Sequence, residues 1–312
     1  MLANFLEESK PINFIIYLGL FFSLFFTSLF STLFVDSFSW IIALESIAFM
    51  MLWSVIFFFY NFVVSKNKLT YGHSYAFFFF VLATLLFTTK LFEFKILILL
   101  LIHLLFLRKI YSLRSPKRVL KKLFDCGFWL SILCILEPFS IAFYSLLLAS
   151  TFLQQKITAH TLITPIIGFI TPLILYFTYL FWNDATEEFT KLFYFDILEN
   201  VFIFAEDTTI WIFFTIILLT VFSILLKSPK VLSVNNSFKK SWLLLIINTL
   251  IAIVYAFVIT EKNGSELVFL VLPTSIIIAN GFETIQSKLL KEILFYLLFI
   301  GTLLSFFNIS IF

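Results

Sequence analysis

The segment "SWIIALESIAFMMLWSVIFFFYNFV", residues 39–63, contains a single charged side chain, Glu45, among 25 residues. A helix needs roughly 20 predominantly apolar residues to cross a bilayer. Similar runs recur along the 312-residue chain, in which 62% of residues are hydrophobic and 12% are charged. The composition therefore predicts an all-α, polytopic transmembrane helix bundle that forms a single integral membrane domain over residues 1–312.

The apolar runs divide into eleven predicted spans, four of which are short. These spans are 12–35, 39–63, 74–89, 96–107, 123–136, 139–153, 157–182, 208–226, 241–260, 266–282 and 292–311. Two alternatives remain for the pairs at 74–107 and 123–153, because each pair has the length of either two short crossings or one re-entrant hairpin. The expected count is therefore about 9–11 spans. A hairpin removes two crossings together, so the sidedness of the other helices does not change.

The basic residues predict the orientation of the chain. Loop 108–122 carries seven lysines and arginines and loop 227–240 carries four, with no acid in either loop. The positive-inside rule places both loops in the cytoplasm, and 17 of the 21 basic residues then lie on that side. The N-terminus is predicted to be cytoplasmic and, with an odd number of spans, the C-terminus periplasmic. Because topology accounts for this positive charge, no nucleic-acid partner is expected.

The one long outer loop, residues 183–207, contains seven acids and a single lysine. The acids are Asp184, Glu187, Glu188, Asp196, Glu199, Glu206 and Asp207. Apolar residues at 189, 192, 193, 197 and 201 have helical spacing, which predicts an amphipathic helix along the outer surface. Two interpretations remain: a docking surface for a membrane-protein partner or a cation, and a solvated loop whose acids only follow the topology.

Glu45 is the clearest ionisable group inside a predicted span. It lies six or seven residues from the start of its helix, which is roughly 10 Å deep at 1.5 Å per residue. A charge near the bilayer centre costs about 2.5–3.5 kcal/mol on insertion scales, so Glu45 is expected to face the protein interior and to be protonated or paired. It is a candidate for substrate or ion binding, and a structural tie between two helices is the alternative.

The stretch "LPTSIIIANGFETI", residues 272–285, places polar residues in a late span and supplies four more candidates for substrate or ion binding: Pro273, Ser275, Asn280 and Glu283. The alternative is that its last residues only mark where a helix leaves the bilayer, with Asn280 and Gly281 as a helix C-terminal signal. The stretch also pairs weakly with "TPIIGFITP", residues 164–172, as interrupted helices of an inverted repeat would.

The expected function is transport or membrane-complex assembly, in contact with the lipid bilayer. The alternative is a membrane-embedded enzyme that acts on a lipid or polyprenyl-linked substrate at the cytoplasmic face, where the arginines lie. No P-loop, GxSxG or HExxH motif is present, and the three histidines are not spaced as metal ligands. We therefore predict no catalytic residue, no metal site and no cofactor.

Two segments resemble the ends of a known family. The opening "FLEESKPINFIIYL" and the closing "LPTSIIIANGFETIQSKLLKEIL" are similar to those of uncharacterised polytopic inner-membrane proteins of flavobacteria and related bacteria. Lys10 to Asn13 match its K-P-I-N start, and Pro273 to Glu283 match its late helix, which reads L-P-x-S-I-x-x-A-N-x-F-E. The resemblance implies location in the inner membrane of a Gram-negative bacterium and supplies no activity.

Overall fold

The computed structural model describes residues 2–8, 10–33, 40–87, 93–194, 207–231, 233, 236–259 and 265–310. Within them the chain forms thirteen α-helices, one 3-10 helix and no strand, which confirms the predicted fold class. The α-helices are α1 (Leu2–Glu7), α2 (Pro11–Leu33), α3 (Trp40–Lys66), α4 (Tyr75–Leu86), α5 (Phe94–Ser112), α6 (Val119–Leu136), α7 (Tyr144–Leu153), α8 (Ala159–Trp182), α9 (Thr186–Lys191), α10 (Asp207–Val231), α11 (Asn236–Val258), α12 (Ser265–Glu283) and α13 (Lys288–Ser310). The 3-10 helix, Pro138–Phe143, leads directly into α7.

Six helices are long and apolar enough to cross a membrane, all within the described ranges. They comprise Ala43–Lys66, Ala159–Trp182, Ile210–Val231, Asn236–Val258, Glu266–Glu283 and Lys288–Phe306. Each of the eleven predicted spans coincides with a helical segment, but α4 has only 12 residues, which is about 18 Å of helix. Helix α5 is longer than predicted and ends at Ser112, so several basic residues of the predicted loop 108–122 lie on helix ends.

The chain divides into two compact units. Unit 1 comprises Met1–Leu97, Thr208–Lys230 and Thr274–Phe312, and unit 2 comprises Ile98–Asp207 and Val231–Pro273. The boundary at 273/274 falls inside α12, so this helix contributes residues to both units. Helix α12 is buried at every position from Glu266 to Phe282. The prediction of a single domain stays a prediction.

The core of unit 1 is an aromatic cluster from α2, α3 and α4. Phe21 packs edge-on against Phe57 at 4.8 Å between ring centroids, and Tyr60 stacks on Phe80 at 3.9 Å. Helix α4 is buried from Tyr75 to Leu85, as expected for a segment that is apolar on all sides. Aromatic pairs contribute about 0.5–1.5 kcal/mol each beyond the area they bury, so these phenylalanines serve packing.

In unit 2 the closest helix pair is α6 with α8. Gly127 of α6 lies against the backbone at Pro165, and Gly168 of α8 lies against the backbone at Phe124, leaving no space for a Cβ at either glycine. Small residues let helices approach this closely inside membranes. The "TPIIGFITP" stretch is therefore a packing face of a continuous helix, and α12 is also continuous, so neither has the interruption that an inverted repeat of broken helices would require.

Candidate functional site

The candidate site lies in unit 1, around the second half of α12. This helix runs through Asn280 and Gly281 and ends at Glu283, so the prediction that these two residues form its C-terminal signal is wrong. The amide of Thr284 donates to the carbonyl of Gly281 at 2.9 Å and closes the last turn. Gly281 instead permits a close approach, because a Cβ there would collide with Ser223 of α10.

Asn280 anchors the segment between α3 and α4. Its side-chain amide donates to the carbonyl of Leu69 at 3.0 Å and to that of Ile276 at 2.9 Å, and the residue is fully buried. Buried polar groups need such partners, since an unmade hydrogen bond costs about 1–3 kcal/mol. Asn280 therefore fixes the position of the loop at 67–74 against α12.

Ser275 makes a hydrogen bond to the hydroxyl of Tyr60 on α3. The two oxygens are 2.7 Å apart, and Tyr60 also donates to the carbonyl of Ala76 at 3.1 Å. Both hydroxyl-bearing residues are buried, so this pair links α12 with α3 and α4 inside an apolar core. The sequence identified Ser275 as a candidate but gave no signal for Tyr60, which reads as one more aromatic residue.

Glu283 forms an ion pair with Lys227 of α10. The carboxylate oxygen lies 2.6 Å from Nζ of Lys227 and 3.7 Å from Nε2 of His73. The ammonium of Lys227 also lies 4.8 Å from the centre of the Tyr71 ring. Burial, followed by the charge of Glu283, raises the pKa of Tyr71. In the sequence, the positive-inside rule was sufficient to account for Lys227 as a cytoplasmic loop residue, so Lys227 was not identified as a partner of Glu283.

A cavity of about 430 Å³ opens beside these contacts. Tyr60, which binds Ser275, and His73, which faces Glu283, both line it. The lining residues on α3 run from Phe58 to Ser65, a distance of about 10 Å along the helix axis. Its other polar lining residues are Lys10, Tyr17, Asn61, Ser65, Thr70 and Ser74. A cavity of this size with a few polar groups is typical of a small-molecule site.

Two predicted candidates are not part of this site. Glu45 is exposed on α3, so the prediction that it faces the protein interior is wrong. Apart from Ser46, the buried residues of α3 lie from Trp53 onward, which leaves Glu45 near the end of the helix that is least covered. Pro273 is buried within α12 and belongs to unit 2 by its contacts. The structure thus brings together Ser275, Asn280 and Glu283 and leaves the other two apart.

The K-P-I-N start that carries the family resemblance belongs to this part of unit 1. Lys10 lines the cavity, and the amide of Asn13 donates to the carbonyls of Phe5 and Glu8, at 2.8 Å each. The whole chain, residues 1–312, matches the model described as "Family of unknown function (DUF6427)". The chain belongs to DUF6427. No curated protein and no solved structure matches it.

The family match and the six apolar helices identify a polytopic membrane protein. The match covers both segments that carried the resemblance, so the predicted family relationship is confirmed. The motif residues Asn13, Ser275, Asn280 and Glu283 all make defined polar contacts in unit 1. In this member of DUF6427 both family-like ends of the chain therefore contribute polar contacts to unit 1.

Two lysines donate hydrogen bonds to main-chain carbonyls at the end of α5 and just after it. Lys122 donates to the carbonyls of Ser112 and Ser115, and Lys156 donates to those of Leu113 and Ser115. Burial and the nearby charge of Lys122 lower the pKa of Lys156. These two lysines satisfy main-chain carbonyls at the end of a helix, which is the place where cations stabilise helices.

The acidic loop is described only to residue 194. Helix α9 covers Thr186–Lys191, and the ring of Phe189 lies 5.1 Å from that of Phe177 on α8. The predicted amphipathic positions 197 and 201 lie outside the described residues. A short helix packed on α8 thus exists at the start of this loop, and a partner there stays a prediction.

Proposed function

We propose that this DUF6427 member is an inner-membrane transport protein that binds a small solute in the cavity of unit 1. The observation that carries the proposal is the position of that cavity, between the N-terminal segment, α3 and α4. Two of its lining residues, Tyr60 and His73, contact polar residues of the buried helix α12. Polar and ionisable groups inside a helical membrane protein usually line substrate pathways, because they are costly to bury otherwise.

The proposal includes an orientation in which the N-terminus is cytoplasmic and the C-terminus periplasmic. In that orientation the cavity opens to the cytoplasm, since Lys10 and the end of α3 at Lys66 lie on the positively charged side. Ser275, Asn280 and Glu283 then hold α12 against the walls of the cavity, and movement of α12 would change its shape.

The enzyme alternative receives less support. An enzyme for polyprenyl-linked substrates needs free cations to bind phosphate groups. Lys122 and Lys156 are instead bound to main-chain carbonyls, and Lys109 pairs with Asp125 at 2.6 Å. These contacts give a structural role to three lysines, of which Lys109 and Lys122 belong to the basic segment 108–122.

A second candidate function, assembly with a membrane-protein partner, is supported by the outer acids. Asp184, Glu187 and Glu188 are exposed beside α9, which rests on α8 through Phe189. A basic partner would find three carboxylates on a supported surface. Crosslinking from a photoreactive residue at position 187 tests this candidate, and an absence of crosslinked protein in intact cells would count against it.

Transport is tested with purified protein in proteoliposomes exposed to a metabolite extract. We expect at least one small solute to accumulate, as measured by mass spectrometry of the vesicle contents, and Ser65→Trp to reduce it more than fivefold by filling the cavity mouth. Ser23→Trp is the matched control, because Ser23 is exposed on α2 and does not line the cavity. Contents identical to those of protein-free vesicles would refute the proposal.

A further inference from the structure

The cavity of unit 1 contains an uncapped helix N-terminus. Helix α4 begins at Tyr75, and Ala76 and Phe77 of its first turn line the cavity. The N-cap residue Ser74 makes no side-chain capping bond, and its hydroxyl donates to the carbonyl of Leu6 at 3.0 Å. The first N–H groups of a helix have no partner within the helix and carry partial positive charge. They are therefore available to an anion.

An independent observation points to a ligand at the same place. The side chain of His73 is 6% exposed and lines the cavity; its Nδ1 has no hydrogen-bond partner among the described residues, and its Nε2 lies 3.7 Å from the carboxylate of Glu283. Tyr17, a residue 5% exposed, also lines the cavity, and its hydroxyl has no hydrogen-bond partner among the described residues. Buried polar atoms normally have a hydrogen-bond partner, so Nδ1 of His73 and the hydroxyl of Tyr17 are available to hydrogen-bond a ligand. The His73 ring is held in place by stacking on Tyr75, 4.3 Å away.

The charges around the cavity favour a negative ligand. Lys10 lines it, and none of the described lining residues is acidic. Two of the nearby carboxylates are paired, since Glu8 lies 2.5 Å from Lys10 and Glu283 lies 2.6 Å from Lys227, and a third, Glu7, lies close enough to act electrostatically on Tyr75. Lys10 is largely exposed, so its ammonium can turn from Glu8 to an incoming anion without disturbing the fold.

The rest of the cavity wall is aromatic. Phe14 lies 4.8 Å from Phe58 and 4.7 Å from Phe77, measured between ring centroids, and all three side chains line the cavity. A cavity with apolar walls and a few polar groups favours a ligand that has both an apolar part and a polar part. A ligand here needs an anionic head and an apolar body that fit within about 430 Å³.

We infer that the cavity of unit 1 binds a small amphipathic organic anion, with its charged head at the N-terminus of α4, His73 and Lys10 and its apolar body against the phenylalanines. This inference rests on the proposed function in one respect only, since it names the class of solute that the cavity would carry. The same head-group chemistry occurs in free carboxylates and in anionic lipids.

The test is calorimetric binding to the full chain in nanodiscs of zwitterionic lipid. The probes are 3-phenylpropanoate, octanoate and the neutral 3-phenylpropanamide. We expect both acids to bind and the amide to bind at least tenfold more weakly. Lys10→Gln should weaken 3-phenylpropanoate binding about tenfold and leave the amide unchanged, because it removes one charge-assisted contact. Lys288→Gln, at an exposed lysine outside the lining, is the matched control.

His73→Gln provides a second variant with the same expected loss. Repeating the titration in nanodiscs that contain phosphatidylglycerol separates the two sources of the anion: competition assigns the head group to a lipid, and unchanged binding assigns it to a soluble acid. Absence of binding by both acids, equal affinity for acid and amide, or equal effects of Lys10→Gln and Lys288→Gln would overturn the inference.

The two proposals fail separately. If Ser65→Trp blocks accumulation of a solute while neither acid binds, transport stands and the anion site is wrong. If the acids bind with the expected selectivity while no solute accumulates in vesicles, the anion site stands and transport is wrong.

Discussion

The ion pair between Glu283 and Lys227 predicts an asymmetric response to mutation. The side chain of Lys227 is 6% exposed, whereas that of Glu283 is 27% exposed. Removing one partner of a buried pair is costly because it leaves the other charge uncompensated and out of water. The cost should therefore depend on which charge remains, and it should be larger when the more deeply buried ammonium loses its carboxylate partner.

Glu283→Gln is expected to lower the free energy of unfolding by about 2–3 kcal/mol. This is below the roughly 3–5 kcal/mol typical of a broken buried pair, since the new carboxamide can still accept a hydrogen bond from Lys227. Lys227→Met should cost only about 1 kcal/mol, because the remaining carboxylate reaches water. The double variant should be more stable than Glu283→Gln alone, since no buried charge remains.

The unfolding free energies are measured by equilibrium titration with sodium dodecyl sulfate in mixed micelles, followed by tryptophan fluorescence. The control is the pair Lys109 and Asp125, also 2.6 Å apart, whose side chains are 25% and 22% exposed. Lys109→Met and Asp125→Asn should cost similar amounts because the two charges are equally exposed. Equal losses for the two single variants at Lys227 and Glu283, or a double variant less stable than Glu283→Gln, would refute the reasoning.

Three further predictions concern packing, the core hydrogen bond and topology. Gly168→Ala should lower the unfolding free energy by about 1–3 kcal/mol, because the Cβ of the new alanine would collide with the backbone of α6. Gly19→Ala, at a position with open space, should not destabilise the protein, and the same titration measures both variants. Tyr60→Phe should cost about 1–2 kcal/mol by removing its hydrogen bonds to the serine of α12 and to the carbonyl of Ala76, and a loss below the error of the titration would show that these bonds contribute nothing. A green fluorescent protein fused after Ser115 should fluoresce and an alkaline phosphatase fused after Tyr194 should be active, while the reverse pattern would invert the topology.

The amino-acid pattern predicted the helical elements well because each apolar run is bounded by charged or turn-forming residues. All eleven predicted spans contain helix, including the short runs at 74–89 and 139–153. The limits of α5 were predicted less well. Its last turns carry basic residues, which read as a loop by hydropathy but continue the helix because their long side chains reach polar partners, such as Lys109 with Asp125.

The candidate site was predicted only in part because its pairing is tertiary. Ser275, Asn280 and Glu283 stand out in sequence as polar residues in an apolar run, whereas their partners do not. Tyr60 is one aromatic residue among many, and Lys227 already had a sufficient explanation in topology. Glu45 was predicted to face the protein interior but is exposed. Its position along one helix does not determine whether neighbouring helices cover it.

The burial of α12 has a consequence for how the protein is made. This helix is the least apolar of the six long spans and also the most enclosed, with buried residues from Glu266 to Phe282. Ser275, Asn280 and Glu283 contact partners on segments synthesised earlier, namely Tyr60, Leu69 and Lys227. During biosynthesis α12 therefore meets these partners only on segments that have already been synthesised, and a chain that lacked those segments would leave Ser275, Asn280 and Glu283 to insert without these contacts.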